Sequence, residues 1–126
     1  MKLVRAVVRE ERAVEVARGL CDAGATGLTV LKGLGGVEGT AFGVYRKTRY
    51  PVMVSMCVID ALAADCDADR MVSIVVQLGR TGSAGDGHVV VMSVDESRAI
   101  RTALPDESAA PACDAADAHV DLACKS

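Results

Sequence analysis

Aromatic rings are scarce in this chain, which holds no tryptophan, a single phenylalanine (Phe42) and two tyrosines (Tyr45 and Tyr50) in 126 residues. A core must therefore be built from Val, Leu, Ile, Ala and Met, and a nucleic-acid platform that works by base stacking is excluded. The formal net charge of −3 points the same way, because it supplies no cationic surplus for a phosphate backbone. No segment approaches the run of about 20 apolar residues that a membrane span requires. The start, MKLVRAVVREE, turns charged too soon for a signal peptide. A cytoplasmic protein without membrane insertion is expected. The five cysteines (Cys21, Cys57, Cys66, Cys113 and Cys124) are odd in number and show no CxxC spacing. This argues against both a metal site and a disulfide framework, and Cys21, Cys57 and Cys66 read as small core or surface residues. Catalysis finds equally little support. There is no Ser-His-Asp or Cys-His set, His119 lies in the tail, and the spacing of Asp86 and His88 around Gly87 suits a turn better than an acid–base pair.

What is present is a methyl-rich chain, 51% hydrophobic, of a length that suits one domain. KLVRAVV (residues 2–8) reads as a strand. In the EERAVEVARGLCDAG stretch that follows, Ala13, Val16, Ala17 and Leu20 recur at helical spacing, and Gly24 is placed to end the helix. GLTVLK (27–32) reads as a second strand, and the glycine-rich residues 33–49 as a long loop without a clean period. An apolar strand over 51–63 follows. Asp67 is then expected to cap a helix, DADRMVSIVVQLG, with Ala68, Met71, Val72 and Val75 on one face. HVVVMSV (88–94) is the last strand. The order is strand, helix, strand, strand, helix, strand. It predicts an α+β, ferredoxin-like (split βαβ) fold, an antiparallel sheet with both helices on one face. Residues 103–126, rich in Ala, Asp, Ser and Pro, read as a mobile C-terminal extension.

Two glycine-bearing turns are the candidates for a site: Gly33-Leu34-Gly35-Gly36 and Gly82-Ser83-Ala84-Gly85-Asp86-Gly87. Glycine allows main-chain N–H groups to face an anion without obstruction by Cβ, although each segment alone also reads as an ordinary turn. Arg80, His88, Arg98 and Arg101 could complete an anion site. YRKTRY carries Tyr45 and Tyr50 around Arg46, Lys47 and Arg49, a basic tip suited to docking on a protein partner. Asp60, on an apolar strand, is expected at a sheet edge or against an arginine. Cys113 and Cys124 are close enough in sequence to form a redox pair.

MKLVRAVVREE, DAGATGLTVLKGLG, YRKTRY and RTGSAGDGHVVVMSVDESRAIRT occur in an order that resembles the PII signal-transduction proteins, over residues 1–102. The resemblance implies a homotrimer that binds ATP or ADP in the clefts between subunits and acts through a T-loop on a transporter, enzyme or regulator. The T-loop would span about residues 36–55. Tyr50 would stand at the position that is uridylylated in many members. Gly85, Asp86 and Gly87 would cradle phosphate, with Thr29, Gly33 and Gly35 at the same site and Arg101 as the second arginine of the terminal RxR. Several positions depart from the family's pattern. The lysine after GDG is His88, and the first arginine of RxR is Ala99, with Arg98 displaced by one position. The glutamine that helps hold Mg and 2-oxoglutarate is Val37, and the lysine at the loop base is Met56 or Cys57. Each lost cation removes about 1.5–3 kcal/mol where it made a charged hydrogen bond. The expectation is thus an adenine nucleotide, ADP or AMP before Mg-ATP, with Mg and 2-oxoglutarate disfavoured. The alternative is a sensor of a small anion such as bicarbonate, or of a metal.

Overall fold

In the computed structural model, residues 1–36, 43–45, 48–50 and 53–105 are described. The chain forms β1 (Lys2–Arg9), α1 (Ala13–Asp22), β2 (Thr26–Gly36), β3 (Gly43–Tyr45), β4 (Thr48–Tyr50), β5 (Met53–Ala63), α2 (Ala68–Gly79) and β6 (His88–Ser93). Short 3-10 turns, Glu10–Arg12 and Asp65–Asp67, lead into the two helices. Four strands make one antiparallel sheet in the order β2-β5-β1-β6, and β3 pairs with β4 separately. Each helix thus connects two parallel strands that have one antiparallel strand between them. This is the expected α+β, ferredoxin-like arrangement.

Strand alternation divides the sheet into two unlike faces. Val4, Ala6 and Val8 of β1 and Cys57, Ile59, Ala61 and Ala63 of β5 are buried with Val16 and Leu20 of α1 and Met71 and Val75 of α2. Gly19 lets the helices approach closely, since a Cβ there would lie 2.4 Å from Leu78 Cδ1. Gly24 ends α1 at φ 95°, with its N–H bonded to the Cys21 carbonyl at 2.9 Å. The opposite face carries the rows Leu31–Val58–Val7–His88 and Thr29–Asp60–Arg5–Val90. In the second row Arg5 grips Asp60 through two hydrogen bonds of 2.8 and 3.0 Å. Asp60 therefore meets an arginine, one of the two placements expected for it.

Four local expectations are corrected. Gly33 to Gly36 do not form a turn; they continue β2 in register with Met56 to Met53. The absence of a Cβ makes this possible at Gly35, where one would lie 2.7 Å from Met56 Cγ. Residues 33–49, expected as a loop, accordingly lose their first residues to β2 and hold β3 and the first two residues of β4, and β5 begins at Met53, within the expected T-loop span. Asp67 stands at the N-cap of α2 but makes no capping hydrogen bond. Its backbone is already helical, and its carboxylate accepts instead from Arg70 Nη2 at 3.3 Å. Val72 is half-buried rather than part of the buried stripe, which Gly79 completes. Arg46, Lys47, Cys113 and Cys124 lie outside the described residues.

Candidate functional site

The segment from Thr81 to Gly87 folds over the end of the open sheet face, between α2 and β6. Its shape begins with three glycines at positive φ: Gly82 (87°), Gly85 (94°) and Gly87 (93°). L-residues avoid this region, so the chain reverses here at little cost only because these positions lack Cβ. At Gly87 the need is also steric. A Cβ there would lie 1.7 Å from the Val7 carbonyl oxygen, so the loop can press onto β1 only through a glycine.

Asp86 organises the interior of the loop. Its carboxylate accepts from the Thr81 N–H at 2.8 Å, the Gly82 N–H at 2.9 Å and Arg9 Nε at 3.0 Å, and also from the Thr81 hydroxyl. Arg9 Nη2 extends the grip with a 2.6 Å bond to the Ala84 carbonyl. Both ends of the loop are therefore closed on one side chain, and that side chain is held by the end of β1. The four hydrogen bonds to Asp86 thus come from Thr81, Gly82 and Arg9.

The same bonds hold the Asp86 carboxyl well below the usual carboxylate range, the Thr81 hydroxyl contributing most, then the Thr81 N–H and Arg9, against a smaller opposing effect of desolvation. A carboxyl whose pKa is depressed by folding contributes stability that is present above its unfolded-state pKa and is lost as pH falls below it. The stability gap between the protein and its Asp86→Asn variant should therefore be constant near neutrality and close as pH drops below about 4. Urea titrations of both proteins across that range measure it. A gap independent of pH would contradict the assigned bonds.

Beside the loop lies a cavity of ≈ 400 Å³ lined by Val7, Gly35, Met56, Ser83, Ala84, Gly85, Asp86, Gly87 and His88. β2 delivers Gly35, β5 delivers Met56, β6 begins at His88, and the loop closes the remaining side. Of the residues expected at the site, Gly35, Gly85, Asp86, Gly87 and His88 thus meet in one place. Thr29 and Gly33 stand further along and beside the same face, paired with Asp60 and Met56. Arg98 and Arg101 are exposed beyond β6, where Arg98 pairs with Glu96 at 2.5 Å and donates to the Ala103 carbonyl at 3.0 Å. Arg9 and Thr81 were not among the expected residues. For Thr81 a signal existed, a hydroxyl five residues before an Asp in a glycine-rich turn. For Arg9, 77 residues from Asp86, none did. Chemically the site is a fixed main-chain loop of left-handed glycines facing a cavity with an apolar floor, an arrangement that suits an anionic group attached to a less polar body.

No helix among the described residues is long and apolar enough to cross a membrane. The chain is 35% identical over 104 residues to the "Nitrogen fixation nifHD region GlnB-like protein 1" of Methanothermobacter marburgensis, covering 81% of this chain and 95% of that protein. It is also 35% identical over 112 residues to the "Nitrogen regulatory protein P-II" of Rhizobium etli and, likewise, to the "Nitrogen regulatory protein GlnK" of Escherichia coli, covering 86% of this chain and 99% of each relative. The family model described as "Nitrogen regulatory protein P-II" matches residues 1–104, and with the fold and the glycine loop in place the chain belongs to that family.

Proposed function

We propose that this regulator binds an adenine nucleotide, ADP or AMP in preference to Mg-ATP, at the 81–87 loop, and acts on a partner transporter or enzyme through its T-loop. The observation that carries the reading is the loop itself. Three left-handed glycines and a carboxylate already saturated with donors leave a rigid main-chain cradle at the mouth of a cavity that Gly35 and His88 share. An assembled trimer is part of the proposal. Leu31 is 60% exposed, Val90 39% and Met92 38% on the sheet face opposite the helices, and Ile100 is fully exposed beyond it. Packing of copies would bury this methyl-rich face and bring the exposed Arg101 of one copy toward the cradle of another. The protein is then a cytoplasmic nitrogen-signalling module without catalysis of its own.

Calorimetry with AMP, ADP and ATP tests the proposal. Binding of AMP or ADP at micromolar to millimolar levels is expected, with no gain for Mg-ATP plus 2-oxoglutarate. No heat and no thermal shift with any nucleotide at millimolar concentration would end it. A second reading has one observation behind it: Met56, only 4% exposed, lies against both Gly35 and Gly87 where a polar floor would serve a polyphosphate better. A smaller anion such as bicarbonate then replaces the nucleotide, and bicarbonate binding to protein that ignores all three nucleotides would favour it.

A further inference from the structure

Arg9 pairs with the organising carboxylate of the cradle, and two of its three guanidinium nitrogens, Nε and Nη2, donate into the loop. Nε meets Asp86 and Nη2 meets the Ala84 carbonyl, at 3.0 and 2.6 Å. The Asp86 carboxylate in turn holds the N–H groups of Thr81 and Gly82. One guanidinium at the end of a sheet strand thereby ties down the beginning, middle and end of a segment containing three left-handed glycines. Both side chains are mostly shielded, 20% exposed for Arg9 and 23% for Asp86. The planar fork matters because two acceptors in different directions are satisfied at once, which a lysine ammonium on its flexible stem does less well.

We infer that Arg9 is a positioning residue of the cradle: it pre-forms the anion-binding loop and does not itself contact the anion. The inference rests on the reading of the loop as the nucleotide site. Glycines lose more conformational freedom on ordering than any other residue. A loop with three of them, left unlatched, would have to be ordered by the ligand at the ligand's expense. Ordering it once, during folding, through a side chain anchored in β1 removes that cost from binding. The guanidinium charge is meanwhile balanced by Asp86, so the latch leaves the cradle's local charge near neutral.

The test compares the full-length protein with Arg9→Gln and Arg9→Lys by amide hydrogen exchange without ligand and by ADP and AMP calorimetry. For Arg9→Gln, exchange at Thr81 and Gly82 should quicken by about tenfold while the helix amides stay protected, a local opening rather than unfolding. Affinity for whichever nucleotide the protein binds should fall by a similar factor, and Arg9→Lys should lie between. Weaker binding with unchanged exchange in the free protein would overturn the inference, because Arg9 would then touch the anion directly. Faster exchange with unchanged affinity would overturn it as well, since the latch would then be irrelevant to binding. If the unmodified protein binds neither nucleotide, the nucleotide reading itself falls and takes the inference with it, an outcome distinct from the other two.

Discussion

Gly87→Ala is expected to be among the most destabilising single substitutions in the chain. The new methyl would have to occupy space 1.7 Å from the Val7 carbonyl oxygen, and the residue would keep a φ of 93° that alanine resists. The obstacle is backbone at the start of the β1–β6 pairing, where Val7 faces His88, so no side-chain rotation relieves it. Either the loop lifts from β1 or the first pair of the ladder opens. Strain and overpacking together should cost more than about 3 kcal/mol. For a domain of this size that corresponds to a fall in melting temperature of roughly 10 °C or more. Gly82→Ala is the matched comparison. Its φ of 87° is similar but nothing lies within 4 Å of the added Cβ, so only the conformational cost of about 1–2 kcal/mol applies. Thermal melts of the two variants should be well separated. Equal melts would mean that the loop does not press on β1 as described.

Leu20→Ala should cost about 3–5 kcal/mol, the range for a large side chain removed from a close-packed core. Leu20 is 0% exposed in α1, against the helix-covered face of the sheet, and its loss would leave a cavity among residues contributed by both helices and by β1 and β5. Val14, on the same helix but 69% exposed, provides the contrast, and its alanine variant should change stability by less than about 0.5 kcal/mol. Urea midpoints distinguish the two. A similar effect at both positions would contradict the assignment of one buried and one exposed side to α1.

The parts of the fold that were legible in the sequence are those carried by local periodicity. The 3.6-residue repeat of Ala13, Val16 and Leu20, the repeat of Ala68, Met71 and Val75, and the left-handed stop at Gly24 are short-range signals, and the structure agrees with them. The GDG loop was legible as a glycine pattern. Misread features depend on distant partners. Gly33–Gly36 resembles a turn in isolation, but β5 supplies the ladder that makes it strand and Met56 supplies the side chain that needs the missing Cβ. Asp67 has the chemistry of a cap, but the 3-10 turn before α2 changes its backbone and Arg70 takes its carboxylate. Asp60 could be expected to meet an arginine, whereas the identity of that arginine required the β1–β5 register. The latch from Arg9 to Asp86 joins residues from opposite ends of the domain, so no window of sequence contains it.

The proposed nucleotide site places the phosphate of an adenine nucleotide at the loop from Thr81 to Gly87. Its most direct measurement is a titration of isotope-labelled protein with AMP and ADP, followed through backbone amide shifts. Saturable shifts are expected at Gly82, Gly85, Asp86, Gly87 and His88, with smaller ones at Gly35 and little change along the exposed side of α1. Saturable shifts confined to other parts of the chain, or a loop that remains unmoved at millimolar nucleotide, would contradict it.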